Sequence, residues 1–295
     1  MNFWNGAGVA LVTPINNGAV DYEVMRKLIL WQLENGTDAL IIAGTTGESA
    51  TLSKDEKLEM FRFTLEVVNG RIPVIAGTGS NNTADSIALS IAAEKLGVDG
   101  LLLVTPYYNK PTQRGLYAHY KAIADSVKIP IILYNVPSRT SVDLLPETVI
   151  ELAKIPNIMA LKEASGKPER CRQILDAVKP EFKVYSGNDG EIYDFMANGG
   201  NGVISVMSNV APKATREIVA DYLMGDTEKA KASQQYYNKL IDALFMETNP
   251  VPSKEALNMM GWNVGELRLP LVGLTDEHRA ELKSVLIQYG LLSGE

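Results

Sequence analysis

The residues that could do chemistry stand at the ends of short apolar runs. Lys162 closes the run Ile158-Met159-Ala160-Leu161-Lys162. Side chains alternate faces along a strand, so Ile158, Ala160 and Lys162 are expected to share one. If that face lines a closed interior, burial disfavours the ammonium form. A neutral amine can then attack a carbonyl and form a Schiff base. A lysine that merely ends a strand and reaches water is the alternative. Tyr134 ends the run before it and shares a face with Ile132. Beside Lys162 on the neighbouring strand, its phenol could move a proton at the reacting carbonyl. A core tyrosine with its hydroxyl satisfied is the plainer reading. Arg139 follows on the same loop, and its planar fork suits a carboxylate, although most loop arginines are simply solvated.

An earlier run ends in Gly44-Thr45-Thr46-Gly47-Glu48-Ser49. The glycines let the backbone approach a ligand, and two hydroxyls with backbone N–H groups could hold a carboxylate. A plain strand-to-helix turn competes with that reading. Thr105-Pro106-Tyr107-Tyr108-Asn109 puts adjacent aromatics on a proline-bounded loop, a placement typical of interfaces and sites. Other candidates reduce to structure. Gly77-Thr78-Gly79-Ser80 lacks the lysine of a phosphate loop and reads as a turn. Cys171 lies in a helical pattern and reads as packing. Ser186-Gly187-Asn188-Asp189 could be a site loop or a simple turn, and a structural wall of the pocket is the favoured reading. His119 and His278 sit in no ligand-like cluster and read as surface or helix-face residues.

Positioning these groups takes a repeating scaffold. A short apolar run, a polar loop and a helix-period segment recur eight times. The runs fall at residues 8–12, 39–43, 73–76, 100–104, 130–134, 158–162, 182–185 and 202–206, each suited to a strand buried on both faces. Between them, Val24, Leu28 and Trp31 share one helical face, as do Leu58, Phe61, Leu65 and Val68. Ser53-Lys54-Asp55-Glu56 predicts a capping box, and Pro146 and Pro168 suit first turns of later helices. Eight alternations predict an α/β fold, a (β/α)8 TIM barrel over residues 1–224. An open doubly wound sheet would carry a glycine-rich dinucleotide loop after the first strand, and none is there. Residues 225–295 predict a C-terminal helical extension, with helices near 227–247, 253–260 and 275–291.

Composition narrows the function. The chain has 295 residues, 46% hydrophobic and 21% charged, with a formal net charge of −7. An acidic surface argues against nucleic acid and anionic membrane as partners. No apolar run approaches the roughly 18–20 residues that span a bilayer, and residues 1–6 lack the features of a signal peptide. One cysteine excludes an internal disulfide and fits a reducing cytoplasm. With two histidines, acid–base chemistry is expected to rest on other side chains, and no metal is expected.

Taken together, the strand ends resemble the dihydrodipicolinate synthase / N-acetylneuraminate lyase family of class I aldolase-like barrels, across essentially the whole chain. The marks are Gly44-Thr45-Thr46-Gly47-Glu48, Tyr134-Asn135-Val136-Pro137 and Leu161-Lys162-Glu163. Val104-Thr105-Pro106-Tyr107-Tyr108-Asn109, Ser138-Arg139-Thr140 and Asn249-Pro250-Val251-Pro252 are similar to the synthase branch rather than to sialic acid lyases. The resemblance implies a cofactor-free, cytoplasmic homotetramer of lysine (diaminopimelate) biosynthesis. It would condense pyruvate with L-aspartate 4-semialdehyde to 4-hydroxy-tetrahydrodipicolinate. It also implies the roles. Lys162 forms the imine, and Thr46 and the backbone carbonyl of Ile204 hold pyruvate. Tyr134, Thr45 and Tyr108 relay protons, Tyr108 from a neighbouring subunit, and Arg139 binds the aldehyde's carboxylate. Another pyruvate-dependent aldolase of the family, acting on a sugar-derived keto acid, and a non-catalytic carboxylate-binding barrel are the alternatives.

The family's lysine-inhibited members carry a regulatory pocket that Ser49, Ala50, Asn81 and Tyr107 match. Lys54 and Lys57 stand where strongly inhibited members have histidine, and Asp85 replaces a glutamate. Two added cations oppose a ligand ammonium and Asp85 reaches less far, so weak or absent inhibition by lysine is expected.

Overall fold

The computed structural model describes residues 3–293. Eight parallel strands close into a barrel: β1 (Gly6–Ala10), β2 (Ala39–Ile42), β3 (Val74–Gly77), β4 (Gly100–Val104), β5 (Ile131–Asn135), β6 (Ile158–Glu163), β7 (Lys183–Ser186) and β8 (Gly202–Ser205). Each pairs with its sequence neighbour, and β1 pairs with β8 to close the ring. Closure needs a bare backbone at the seam. A Cβ on Gly202 would stand 1.8 Å from the carbonyl oxygen of Gly6, and Gly202 itself has φ of +140°. Glycine alone meets both demands without strain.

Helices α1 (Tyr22–Glu34), α2 (Lys54–Val68), α3 (Thr83–Leu96) and α4 (Gln113–Ala124) follow the first four strands. Two short helices, α5 (Pro137–Thr140) and α6 (Pro146–Leu152), follow β5. Then come α7 (Glu169–Leu175), α8 (Ile192–Ala197) and α9 (Pro212–Leu223). Three more, α10 (Thr227–Leu244), α11 (Val251–Met259) and α12 (Asp276–Gln288), follow the last barrel helix. Two apolar layers result. An outer layer between strands and helices includes Leu28, Phe61, Leu133 and Leu161. An inner layer fills the barrel with Ile41, Ile75, Ile132, Ala160 and Ile204.

Local signals behave as their chemistry requires. Ser53 accepts from the Glu56 N–H while Glu56 accepts from the Ser53 N–H at 2.8 Å, a complete capping box. Pro146 opens α6. Pro168 stands at the N-cap of α7 rather than in its first turn. The first strand begins two residues earlier than the apolar pattern suggested and ends at Ala10. Its pairing starts at Gly6 against Gly202, and beyond Ala10 the N–H of Val12 donates to the side chain of Asn209. Leu11 and Val12 are therefore apolar and buried without belonging to the strand.

A larger correction concerns β6. Ile131 pairs with Ile158, yet Ile132 pairs with Ala160, so Met159 is one extra residue on β6. The bulge reverses the alternation. Ile158 faces the outer layer, while Ala160 faces the barrel interior. Ile158 and Lys162 thus point to opposite sides, contrary to the simple period-two count.

Among the described residues no helix is long and apolar enough to cross a membrane. His119 is buried rather than superficial, with its Nδ1 2.9 Å from the Thr83 hydroxyl. Burial pushes its pKa down to about 4. The unfolded chain therefore binds a proton more tightly, and the stability this neutral histidine contributes is complete above about pH 6.5. It is lost as pH falls toward 4. Chemical denaturation between pH 7 and 4 should show that slope, and His119→Gln, which does not titrate, should reduce it. An unchanged slope in the variant would exclude His119 as the cause.

Candidate active site

The site forms where the C-terminal ends of β2, β5, β6 and β7 converge. Tyr134 and Lys162 are direct register partners on β5 and β6. Both face the interior, and both are at most 5% exposed. The Lys162 Nζ lies 4.4 Å from the centroid of the Tyr134 ring. A desolvated amine thus stands against an aromatic phenol at the end of the barrel, within one side chain's reach.

A cavity of about 200 Å³ opens over them. Its lining brings together Lys162, Tyr134, Thr45, Thr46 and Arg139, with Asn188 on the opposite wall. Gly187 completes the wall from β7. A Cβ there would meet the Ala164 Cβ at 2.7 Å and the Lys162 Cε at 3.0 Å. The loop after β7 therefore limits the space around the lysine, as its composition suggested. Asp189 anchors that loop, its carboxylate accepting the N–H groups of Val206 and Met207 at 2.9 and 2.8 Å.

Thr45 and Thr46 ride on a tight turn in which Gly47 and Ser49 N–H groups both donate to Gly44. Asn249 supplies the orientation: its Nδ2 donates to the Thr46 hydroxyl at 2.9 Å. A hydroxyl that accepts there keeps its own hydrogen free to donate to a ligand oxygen. The carbonyl of the same asparagine receives the Arg139 guanidinium at 3.0 Å. That leaves most of the guanidinium's five donors for an anion. Asn249 and Phe245, which also lines the cavity, were not singled out as site residues from the sequence. The only signal for Asn249 was its place in Asn249-Pro250-Val251-Pro252.

Behind the cavity, Asn135 and Glu163 are the next register pair and face outward. The Asn135 amide donates to both Glu163 oxygens at 3.2 Å and to Asp143 at 2.9 Å. Arg170 grips Asp143 through two bonds of 2.7 and 2.8 Å. This charge-assisted chain fixes the strand ends on which Tyr134 and Lys162 stand. Burial pushes the Glu163 carboxyl upward, opposed by the donors of Ser165 and Asn135.

Not every expected residue joins the cavity. Ile204 is fully buried on β8, and Val206 lines the wall instead. Tyr108 lies outside the lining, 90% exposed, with φ of +71°. Lys54, Lys57, Asn81, Asp85 and Tyr107 do share a separate cavity of about 350 Å³. Ser49 and Ala50 line a different one, of about 310 Å³, which shares Thr45, Arg139 and Asn249 with the lysine cavity. Cys171 is buried and its thiol is pushed up to about 12, which fits packing. Burial lowers the Lys57 ammonium.

A buried lysine at the mouth of a closed parallel barrel, beside a tyrosine and a hydroxyl-bearing loop, defines a Schiff-base-forming enzyme of the class I aldolase type. The chain belongs to the Dihydrodipicolinate synthetase family, whose sequence model matches residues 4–289. It is 52% identical to the 4-hydroxy-tetrahydrodipicolinate synthase of a Thermoanaerobacter species, over 99% of each chain. Its fold is similar to dihydrodipicolinate synthase of Thermotoga maritima, with a TM-score of 0.96 and 46% identity over 98% of this chain and all of the other. It is also similar to the chloride-inhibited synthase of Acinetobacter baumannii complexed with pyruvate. There the TM-score is 0.95, with 46% identity over 98% of this chain and 99% of that one.

Gly187→Ala should crowd the lysine and its wall without touching the rest of the cavity. We expect kcat/KM to fall by about 10²-fold, the scale of a 1 Å misplacement at a reacting group, with thermal stability read in parallel. Wild-type kcat/KM would refute the steric role assigned to this glycine.

Proposed function

We propose that this chain condenses pyruvate with L-aspartate 4-semialdehyde to 4-hydroxy-tetrahydrodipicolinate, a step of lysine (diaminopimelate) biosynthesis. The observation that carries the reading is the register pairing of Lys162 with Tyr134 inside one cavity that also holds Thr45, Thr46 and Arg139.

The Lys162 amine attacks the keto carbon of pyruvate and water leaves, giving an imine. The imine is an electron sink, so loss of a methyl proton yields an enamine. The enamine carbon attacks the aldehyde of the second substrate, forming the new C–C bond. The substrate amine then attacks the imine carbon, closes the ring and expels the Lys162 amine. Thr46 and the Ile204 carbonyl hold pyruvate, and Arg139 holds the aldehyde substrate's carboxylate. Tyr134 and Thr45 carry protons with Tyr108. Tyr108 is extended into solvent, away from its own chain's cavity, which supports its contribution to a neighbouring copy in a homotetramer. We assign catalysis to residues 1–224, with residues 225–295 as the helical extension, and place the enzyme in the cytoplasm, in keeping with its one unpaired cysteine.

Borohydride added in the presence of pyruvate should trap an N-alkyl adduct on Lys162, located by peptide mass spectrometry. Lys162→Ala should lose the adduct and lower kcat by roughly 10³-fold or more. No adduct on the wild-type enzyme would remove the reading. A coupled assay with pyruvate and aspartate semialdehyde separates it from an aldolase for a sugar-derived keto acid, which would leave that pair unconverted.

Regulation follows from the second cavity. Lys54 and Lys57 oppose a ligand ammonium where Asp85, among the described residues, is the one lining carboxylate, and Asp85 is already engaged by Asn82 at 2.7 Å. Steady-state rates should stay unchanged at sub-millimolar lysine; inhibition in that range would overturn this assignment.

A further inference from the structure

The ion pair between Lys254 and Glu48 joins two segments 206 residues apart, with an Nζ–Oε1 distance of 2.8 Å and both side chains 1% exposed. Neither charge takes part in the chemistry proposed above. Such a pair gains little by itself, because removing two charges from water offsets their attraction. What it does is fix the geometry of whatever carries it.

Each partner stands next to a residue of the site. Glu48 lies two positions after Thr46 in the turn that holds the threonine hydroxyls. It sits at φ of +56°, and its N–H donates back to Thr45. Lys254 lies one helical turn after Asn249, and its N–H donates to the carbonyl of Pro250. Asn249 is the residue that orients Thr46 and receives Arg139. The pair therefore runs beside the Asn249–Thr46 bond as a second strut between the same two segments. Each charge has a second partner: Lys254 Nζ also donates to the Glu266 carbonyl, and the second Glu48 oxygen accepts the Arg268 N–H at 3.0 Å. The Arg268 side chain in turn pairs with Glu56 and donates to the Thr51 carbonyl, clamping the start of α2. Partners on more than one side of each charge restrict the strut's geometry.

We propose that Glu48 and Lys254 are positioning residues for pyruvate binding. Through the strut, the helical extension holds Asn249 and Thr46 at the spacing that presents the Thr46 hydroxyl to the substrate carboxylate. The inference rests on the proposed pyruvate site. It makes the extension part of the active site rather than an appendage.

The test is the isosteric double variant Glu48→Gln/Lys254→Met, which removes both charges and leaves neither stranded. Lys254→Arg serves as the conservative variant should the double variant fail to fold. Circular dichroism and thermal unfolding establish folding. The readouts are KM for pyruvate, kcat, and borohydride trapping of Lys162 at saturating pyruvate. We expect KM for pyruvate to rise about tenfold in the double variant and less in Lys254→Arg. KM for the aldehyde and trapping at saturation should change little. A folded variant with unchanged KM for pyruvate, or one that loses kcat and both KM values together, would overturn the proposal and leave the pair a purely structural element. Wild-type enzyme that forms no adduct with pyruvate would instead refute the proposed function, so the two failures are distinct.

Discussion

One extra residue in β6 decides where the reactive amine points. If pairing ran on unbroken from Ile131 with Ile158, Lys162 would stand opposite Asn135 and face the helices. Met159 shifts the register by one, so Lys162 meets Tyr134 and both turn into the barrel. A one-residue slip exchanges the faces of a strand, and the bulge uses that rule to move an apolar-to-amine sequence inward. The outer face then receives Glu163 and Asn135; Asn135 donates to Glu163 and to Asp143, Arg170 grips Asp143 in turn, and this chain holds the new register. The placement of Lys162 beside Tyr134 depends on this local irregularity.

Several charged groups near the site are held by defined counterparts. Asp189 is tied to backbone N–H groups, Glu48 to Lys254, and Asp143 to Arg170. Leaving one partner of a buried pair such as Glu48–Lys254 alone costs about 3–5 kcal/mol, so that pair acts as a constraint on geometry. The constraints converge on the same region: the turn after β2, the strand ends of β5 and β6, and the loop after β7. A site that must hold an imine through several steps benefits from such rigidity, because proximity contributes only while the reacting atoms stay aligned.

The separate cavity near α2 and α3 has a different character. Its lining comes from the loop after β3 and from α2 and α3, with Tyr107. It shares Tyr107 with the cavity that adjoins the lysine site. The charge of the lining restricts which occupants it accepts.

Much of this was legible in the residues. Eight apolar runs with helical segments between them require strands buried on both faces, and a closed barrel follows from their number. The chemistry-bearing side chains could be read at the strand ends because period-two and helical spacing are local properties. A period-two count puts Ile158, Ala160 and Lys162 on one face; Ala160 and Lys162 do share the inner face, but Ile158 does not. A bulge depends on the partner strand, so no count along one strand reveals it. The first strand's limits were hidden for a related reason: Val12 is apolar, but its N–H is taken by the side chain of Asn209, almost 200 residues away. The same distance concealed Asn249 and the Glu48–Lys254 pair, whose meaning appears only when the helical extension folds back on the turn after β2. The sequence by itself determined which groups could react and which elements carry them. The tertiary structure decided which way they face and what holds them there, because register and long-range ion pairs are properties of two segments at once.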